Sequence, residues 1–171
     1  MVWFSNKNRP FEYGPYPMER LKRDAAIIDE ESQLPSVARK TWPTLEKNHL
    51  SEAIAKYHQL YRESGFLESL PSPAPVPDDL HRRAVDIKGA GYFLDVSNIG
   101  ICEIPKNGWL SGDEKSKHTH AIVIVQSHGR LPEKENLAHE WCDGLAAQAA
   151  EFRAFEVSVA LSEHIKLMGF D

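Results

Sequence analysis

The chain has 171 residues, 42% of them hydrophobic, and a formal net charge of −5, which allows one domain with a sizeable core. The acidic balance argues against a nucleic-acid-binding surface, since phosphate binding relies on clustered Lys and Arg; the one basic cluster, Arg20 to Arg23, is followed at once by Asp24, Asp29, Glu30 and Glu31. No apolar run approaches the roughly 20 residues that span a bilayer, and Met1 to Lys7 lacks the apolar core of a secretory signal, so no membrane partner and a cytoplasmic location are expected.

Residues 1 to about 44 read as an extended arm. The stretch from Arg9 to Pro17 holds three prolines, a glycine and three aromatics, which favour extended segments and turns over helix. Glu19 to Asp24 adds at most a helical turn, and Trp42-Pro43 is a further turn signal. A helix is predicted from Asn48 or Ser51 to Glu63, capped by whichever of those two begins it and stopped by Gly65. Leu50, Ile54, Tyr57 (or His58) and Tyr61 fall on one face of it. Leu70 to Pro77 carries proline at every second position, a stiff polyproline-like connector. It reads as a linker between two structural units rather than as a ligand for a signalling domain. We therefore divide the chain into 1–77, an arm with one helix and a Pro-rich connector, and 78–171, an α+β domain.

That second unit opens with a helix capped by Asp78 or Asp79, in which Leu80, Ala84, Ile87, Gly91 and Leu94 share a face. Gly89 and Gly91 weaken it and suggest close packing against another backbone. Val96 to Ile104 reads as a strand ending at Pro105, and Lys106 to Asp113 as loop. Ala121-Ile122-Val123-Ile124-Val125 is β-branched and apolar on both faces, which suits a strand covered on both sides, and it is the candidate for a central strand. From about Leu137 to Met168 there is no proline. Leu145, Ala149, Phe152, Phe155, Val159 and Ile165, with Ala146, Ala150, Ala160 and Leu161 beside them, recur at spacings near three and four. They predict one long helix or two consecutive ones. Gly169 stands where a left-handed cap is expected. The fold class is α+β, a small sheet packed with long helices. A strand and a helix that stop at the cap lead us to expect the front part of a larger protein, truncated before its next strand. A complete domain whose last helix ends the chain fits the same pattern.

Chemistry-bearing residues are sparse. His118 and His120 precede the predicted central strand on one face of it and His128 follows it, yet no further ligand sits at a convincing offset, so no metal site is assigned. His139 and His164, flanked by Glu140 and Glu163, do not form the His-Glu-x-x-His zinc pattern. Gly89-x-Gly91 lies inside a helix and is no dinucleotide fingerprint. Cys102 and Cys142 lack ligand-like spacing and read as small buried hydrophobes. No catalytic or cofactor-binding residue is assigned.

Separated stretches of the chain resemble the N-terminal region of reductive dehalogenases, the corrinoid and iron–sulfur enzymes that remove halogen from organic compounds, and especially their cytoplasmic catabolic branch. These are Arg9-Pro-Phe-Glu-Tyr-Gly-Pro-Tyr-Pro-Met-Glu-Arg-Leu, Asp86-Ile-Lys with Ile99-Gly-Ile, and above all Ala149-Ala-Glu-Phe with Leu161-Ser-Glu-His-Ile-Lys-Leu-Met-Gly-Phe. The resemblance implies a nitroreductase-like half-domain. Its partner would be a C-terminal part of the same protein that carries the corrinoid, two 4Fe–4S clusters and the catalytic residues. No cofactor is expected in this chain, which alone is expected to be inactive. The aromatic arm and Trp109 become candidates for a wall of the substrate pocket. The alternative is a free-standing binding or structural module that dimerises through the face the missing half would cover.

Overall fold

A computed structural model describes residues 24–36, 44–63, 72–109 and 117–170. In chain order its elements are α1 (Ala25–Ser32), α2 (His49–Glu63), α3 (Leu80–Phe93), β1 (Asn98–Glu103), β2 (His120–Val125), α4 (Ala138–Cys142) and α5 (Ala146–Leu167). The architecture is mixed α+β, with the two strands forming an antiparallel sheet against the helices. Most of the aromatic arm, the helical turn expected at Glu19 to Asp24, the Gly65 stop and the start of the connector lie outside the described residues.

Local chemistry explains where most elements begin and end. Asp24 caps α1 by accepting the Ala26 N–H at 2.8 Å, so a helix forms inside a stretch expected to be extended; one good cap and a run of helix-tolerant residues outweigh the turn signals on either side. Its C-terminal carbonyls are closed from afar, since Asn107 Nδ2 donates to the Glu31 and Leu34 carbonyls at 2.7 and 3.1 Å. For α2 the cap is Asn48, whose Oδ1 accepts the Ser51 N–H at 3.0 Å. For α3 it is Asp79, which accepts from the His81 N–H at 2.9 Å. Of the one long or two consecutive helices expected at the C-terminal end, there are two, separated at Gly144 with φ +73°. At the end of α5, Gly169 takes φ +82°. Its N–H donates to the Lys166 carbonyl at 2.9 Å and the Phe170 N–H to the Ile165 carbonyl at 3.1 Å, the paired bonds of a Schellman cap.

The core lies between α3, β1 and α5, where Tyr92, Val96, Ile99, Val157 and Leu161 are buried and Ile122 and Ile124 of β2 pack against them. In the register Ile99↔Ile124 and Ile101↔Ile122 the isoleucines of both strands share the face turned to the helices. Gly91 lets α3 lie on this face: a Cβ there would stand 2.5 Å from Ile99 Cδ1. The close approach is thus to a side chain rather than to another backbone.

Three expectations need correction. β2 is not central among the described residues; it pairs with β1 alone, and its Val123 and Val125 are 45% and 55% exposed. Of the face expected on α2, Ile54, Tyr61 and the alternative His58 are half-buried, but Leu50 and Tyr57 are not part of it. Leu50 and Tyr57 are 41% and 56% exposed, whereas Ser51 is fully buried and His58 partly so. On α5, Ala160 faces solvent and Val157 and Gln148 are buried instead.

Candidate functional site

The described residues form a groove of about 640 Å³ between β2 and α5, within the size range of small-molecule sites. One wall is the approach to β2 and the strand itself, with Lys117, His118, His120, Ile122 and Ile124; the other is α5, with Ser158, Leu161, Ser162, Ile165 and Lys166. The β alternation puts His118, His120, Ile122 and Ile124 on one face. On α5 the steps of three and four from Ser158 to Lys166 do the same. The result is an apolar floor of isoleucine and leucine under a rim of hydroxyl, imidazole and ammonium groups.

Of the histidines singled out by the sequence, His118 and His120 therefore come together, and His120 Nδ1 lies 2.9 Å from Thr119 Oγ1. His128 is exposed in the loop beyond β2 and does not line the groove. His139 is held by the Pro132 carbonyl, 2.8 Å from its Nδ1, and so braces the loop before α4. His164 is exposed on α5. No group of three or more His, Cys, Asp or Glu side chains converges for a metal among the described residues. The Ser158, Ser162 and Lys166 rim was missed by the sequence reading. Its signal was a polar residue at every fourth position of α5, which reads equally as a solvent-facing stripe.

A second feature is the opposite face of the sheet. Asn98, Gly100, Cys102, Ala121, Val123 and Val125 lie there by the register of the two strands, and the valines are half-exposed. It is an apolar face with no helix of the described chain across it. Cys102 and Cys142 are both free thiols. Trp109 is half-buried in the loop after β1.

Elsewhere two groups are electrostatically perturbed, and both lie where α2 meets α5. Burial lowers the His58 pKa, helped by the nearby Arg62 and opposed by Glu151. Tyr61 is raised, chiefly because its hydroxyl donates to Glu156 Oε1 at 3.1 Å and is therefore held in its protonated form.

Fold and site together define a mixed α+β unit with a grooved inner side and an open apolar sheet face. Among solved structures it is similar to reductive dehalogenases. One, whose structure suggests a mechanism for B12-dependent dehalogenation, matches at 31% identity and TM-score 0.66 over 99% of this chain and 23% of its own. The catabolic reductive dehalogenase NpRdhA matches at 29% identity and TM-score 0.62 over 80% of this chain and 19% of its own. Its complex with 3-bromo-4-hydroxybenzoic acid matches at 30% identity with the same TM-score and coverage. The chain thus spans about a fifth of the length of the dehalogenases it matches. No family model matches the sequence, and no curated protein does.

The B12-dependent chemistry named for the similar enzyme raises the question of fit. Four-iron clusters need sets of cysteine thiolates, and this chain has two cysteines in all. Cys102 lies on the outer sheet face and Cys142 closes α4. These residues do not make a cluster site.

Proposed function

We propose that this chain is a non-catalytic domain of a reductive dehalogenase-like oxidoreductase that reduces halogenated organic compounds, built as one nitroreductase-like half. It supplies a packing surface for the corrinoid and iron–sulfur part of the same protein and a wall of the substrate pocket. The structural similarity to about a fifth of a dehalogenase at roughly 30% identity supports this, but the observation that carries it is the outer sheet face. Gly100, Cys102, Ala121, Val123 and Val125 form an apolar strand surface edged by Asn98, with both valines half-exposed, and β2 has the two-sided apolar sequence of a strand sandwiched between layers. An exposed apolar face of this kind marks a contact surface.

The same face suits the second reading, a free-standing module that pairs with a copy of itself. Two measurements on the purified chain separate them. With added corrinoid and a low-potential reductant the chain alone is expected to give no turnover of a halogenated phenol, and sedimentation is expected to find a monomer whose Cys102 reacts readily with alkylating reagents. A stable dimer in which Cys102 is protected favours the self-pairing module, and turnover by the isolated chain overturns the non-catalytic assignment.

A further inference from the structure

The seam between α2 and α5 contains a titratable group that the proposed function does not use. The His58 ring stands edge-on to Phe155, with centroids 4.5 Å apart and planes at 87°. Its Nε2 is buried without a hydrogen-bond partner. On the same Phe155 ring sits the Arg62 guanidinium, 5.8 Å from the centroid. One turn away, Tyr61 packs on Phe152 and donates to Glu156. The charged groups that face the imidazole are therefore Arg62 from its own helix and Glu151 from α5. α4 meets α2 at the opposite end, where Asn48 donates to the Trp141 carbonyl.

A neutral imidazole fits this place because it packs as an aromatic ring. An imidazolium fits less well. It carries a second N–H donor that the buried Nε2 position offers no acceptor for, and the Arg62 guanidinium one turn along its own helix repels it in a partly desolvated seam, an effect that Glu151 of α5 offsets only in part.

We propose that the α2–α5 seam is a pH-sensitive latch, in which protonation of His58 loosens α2 on α5 while the α3–β1–β2–α5 core stays folded. The direction follows from linkage. The folded state binds this proton less readily than the unfolded one, so the latch is at full strength above the ordinary histidine range near 6.5. It weakens as pH falls through that value and then through the lower folded one. The loss levels off below both, at a factor equal to the ratio of the two acid dissociation constants. Because His58 packs on Phe155 and Tyr61 on Phe152, each opening of the seam uncovers those two rings, so the latch governs how often that side of α5 can be reached by another surface.

The test is amide exchange on the full chain between pH 7.5 and 5, corrected for intrinsic rates. Residues 51–62 are expected to lose protection severalfold relative to residues 157–161 as pH falls, and H58F, which keeps the edge-on ring without a titratable group, is expected to remove that difference. An equal loss in H58F overturns the latch. Should H58F not fold, the ring titration of His58 in the unmodified chain decides: a midpoint below that of an unstructured histidine supports the latch, and one at or above it overturns the proposal.

Discussion

At the scale of single residues, two glycines separate a strain that can relax from one that cannot. A methyl at Gly91 meets the far end of the Ile99 side chain, which can turn away, so G91A is expected to cost about 1–3 kcal/mol as overpacking, and part of it should return in G91A/I99V. A methyl at Gly169 meets backbone, 2.7 Å from Pro73 Cα and 2.8 Å from the Ser72 carbonyl oxygen, on a residue with φ +82°. Neither can yield, and G169A should be the more costly of the two in chemical denaturation, with no rescue by trimming a neighbouring side chain. The cap at Gly169 was legible in the sequence because capping is local chemistry, a helix's last turn followed by the residue that best tolerates a left-handed backbone. Its contact was not legible, because the Pro-rich connector lies nearly a hundred residues earlier. There the Ala74 N–H donates to the Met168 carbonyl at 2.8 Å, so the segment read as a linker is pinned at this point to the end of α5.

At the scale of elements, the orientation of α2 shows why hydrophobic periodicity can find a helix and still leave its inner face undecided. The pattern allows a face of Leu50, Ile54, Tyr57 and Tyr61 or one with His58 in place of Tyr57; the half-buried set is Ile54, His58 and Tyr61, and a hydrogen-bond relay decides between them. Ser51 Oγ donates to Gln148 Oε1 at 2.9 Å and accepts the Leu45 N–H at 2.9 Å, which turns the helix toward Ser51 and His58. Neither serine nor glutamine counts in an apolar pattern, and each has its partner far away in sequence or just before the helix. A direct consequence is that S51A should destabilise the chain by about 1–3 kcal/mol, because it strands a buried acceptor and a backbone donor, while L50A, despite removing a larger apolar group, should change stability by no more than about 0.5 kcal/mol. Equilibrium unfolding of the two variants checks the order, and a larger loss for L50A would mean that α2 turns Leu50 rather than Ser51 inward. The strands were legible to within a residue or two, as β-branched runs bounded by turn residues. The antiparallel pairing and the groove were not, since both arise from how β1, β2 and α5 meet.

At the scale of the whole molecule, what needs explaining is the sheet, two-stranded among the described residues, whose β2 has a sequence made for burial on both faces. Its inner face has Tyr92, Val157 and Leu161 against it; its outer face has Val123 and Val125 half in water. A hairpin with one helical layer is a thin structure, and strand valines exposed on it contribute little to the stability of the isolated chain. They would contribute much more if a further layer lay across them, at about 25 cal/mol for each Å² of apolar surface then removed from water. V123D/V125D is therefore expected to leave the unfolding free energy of the isolated chain nearly unchanged, within about 0.5 kcal/mol per site, and to reduce its binding of hydrophobic dyes. In a longer dehalogenase-like protein containing these residues, the same pair of substitutions should prevent the outer layer from docking, seen as protease cleavage between the two parts and faster alkylation of Cys102. Were the pair to destabilise the isolated chain strongly instead, the outer face would already be covered within these 171 residues, and the docking surface would have to be sought in the groove between β2 and α5.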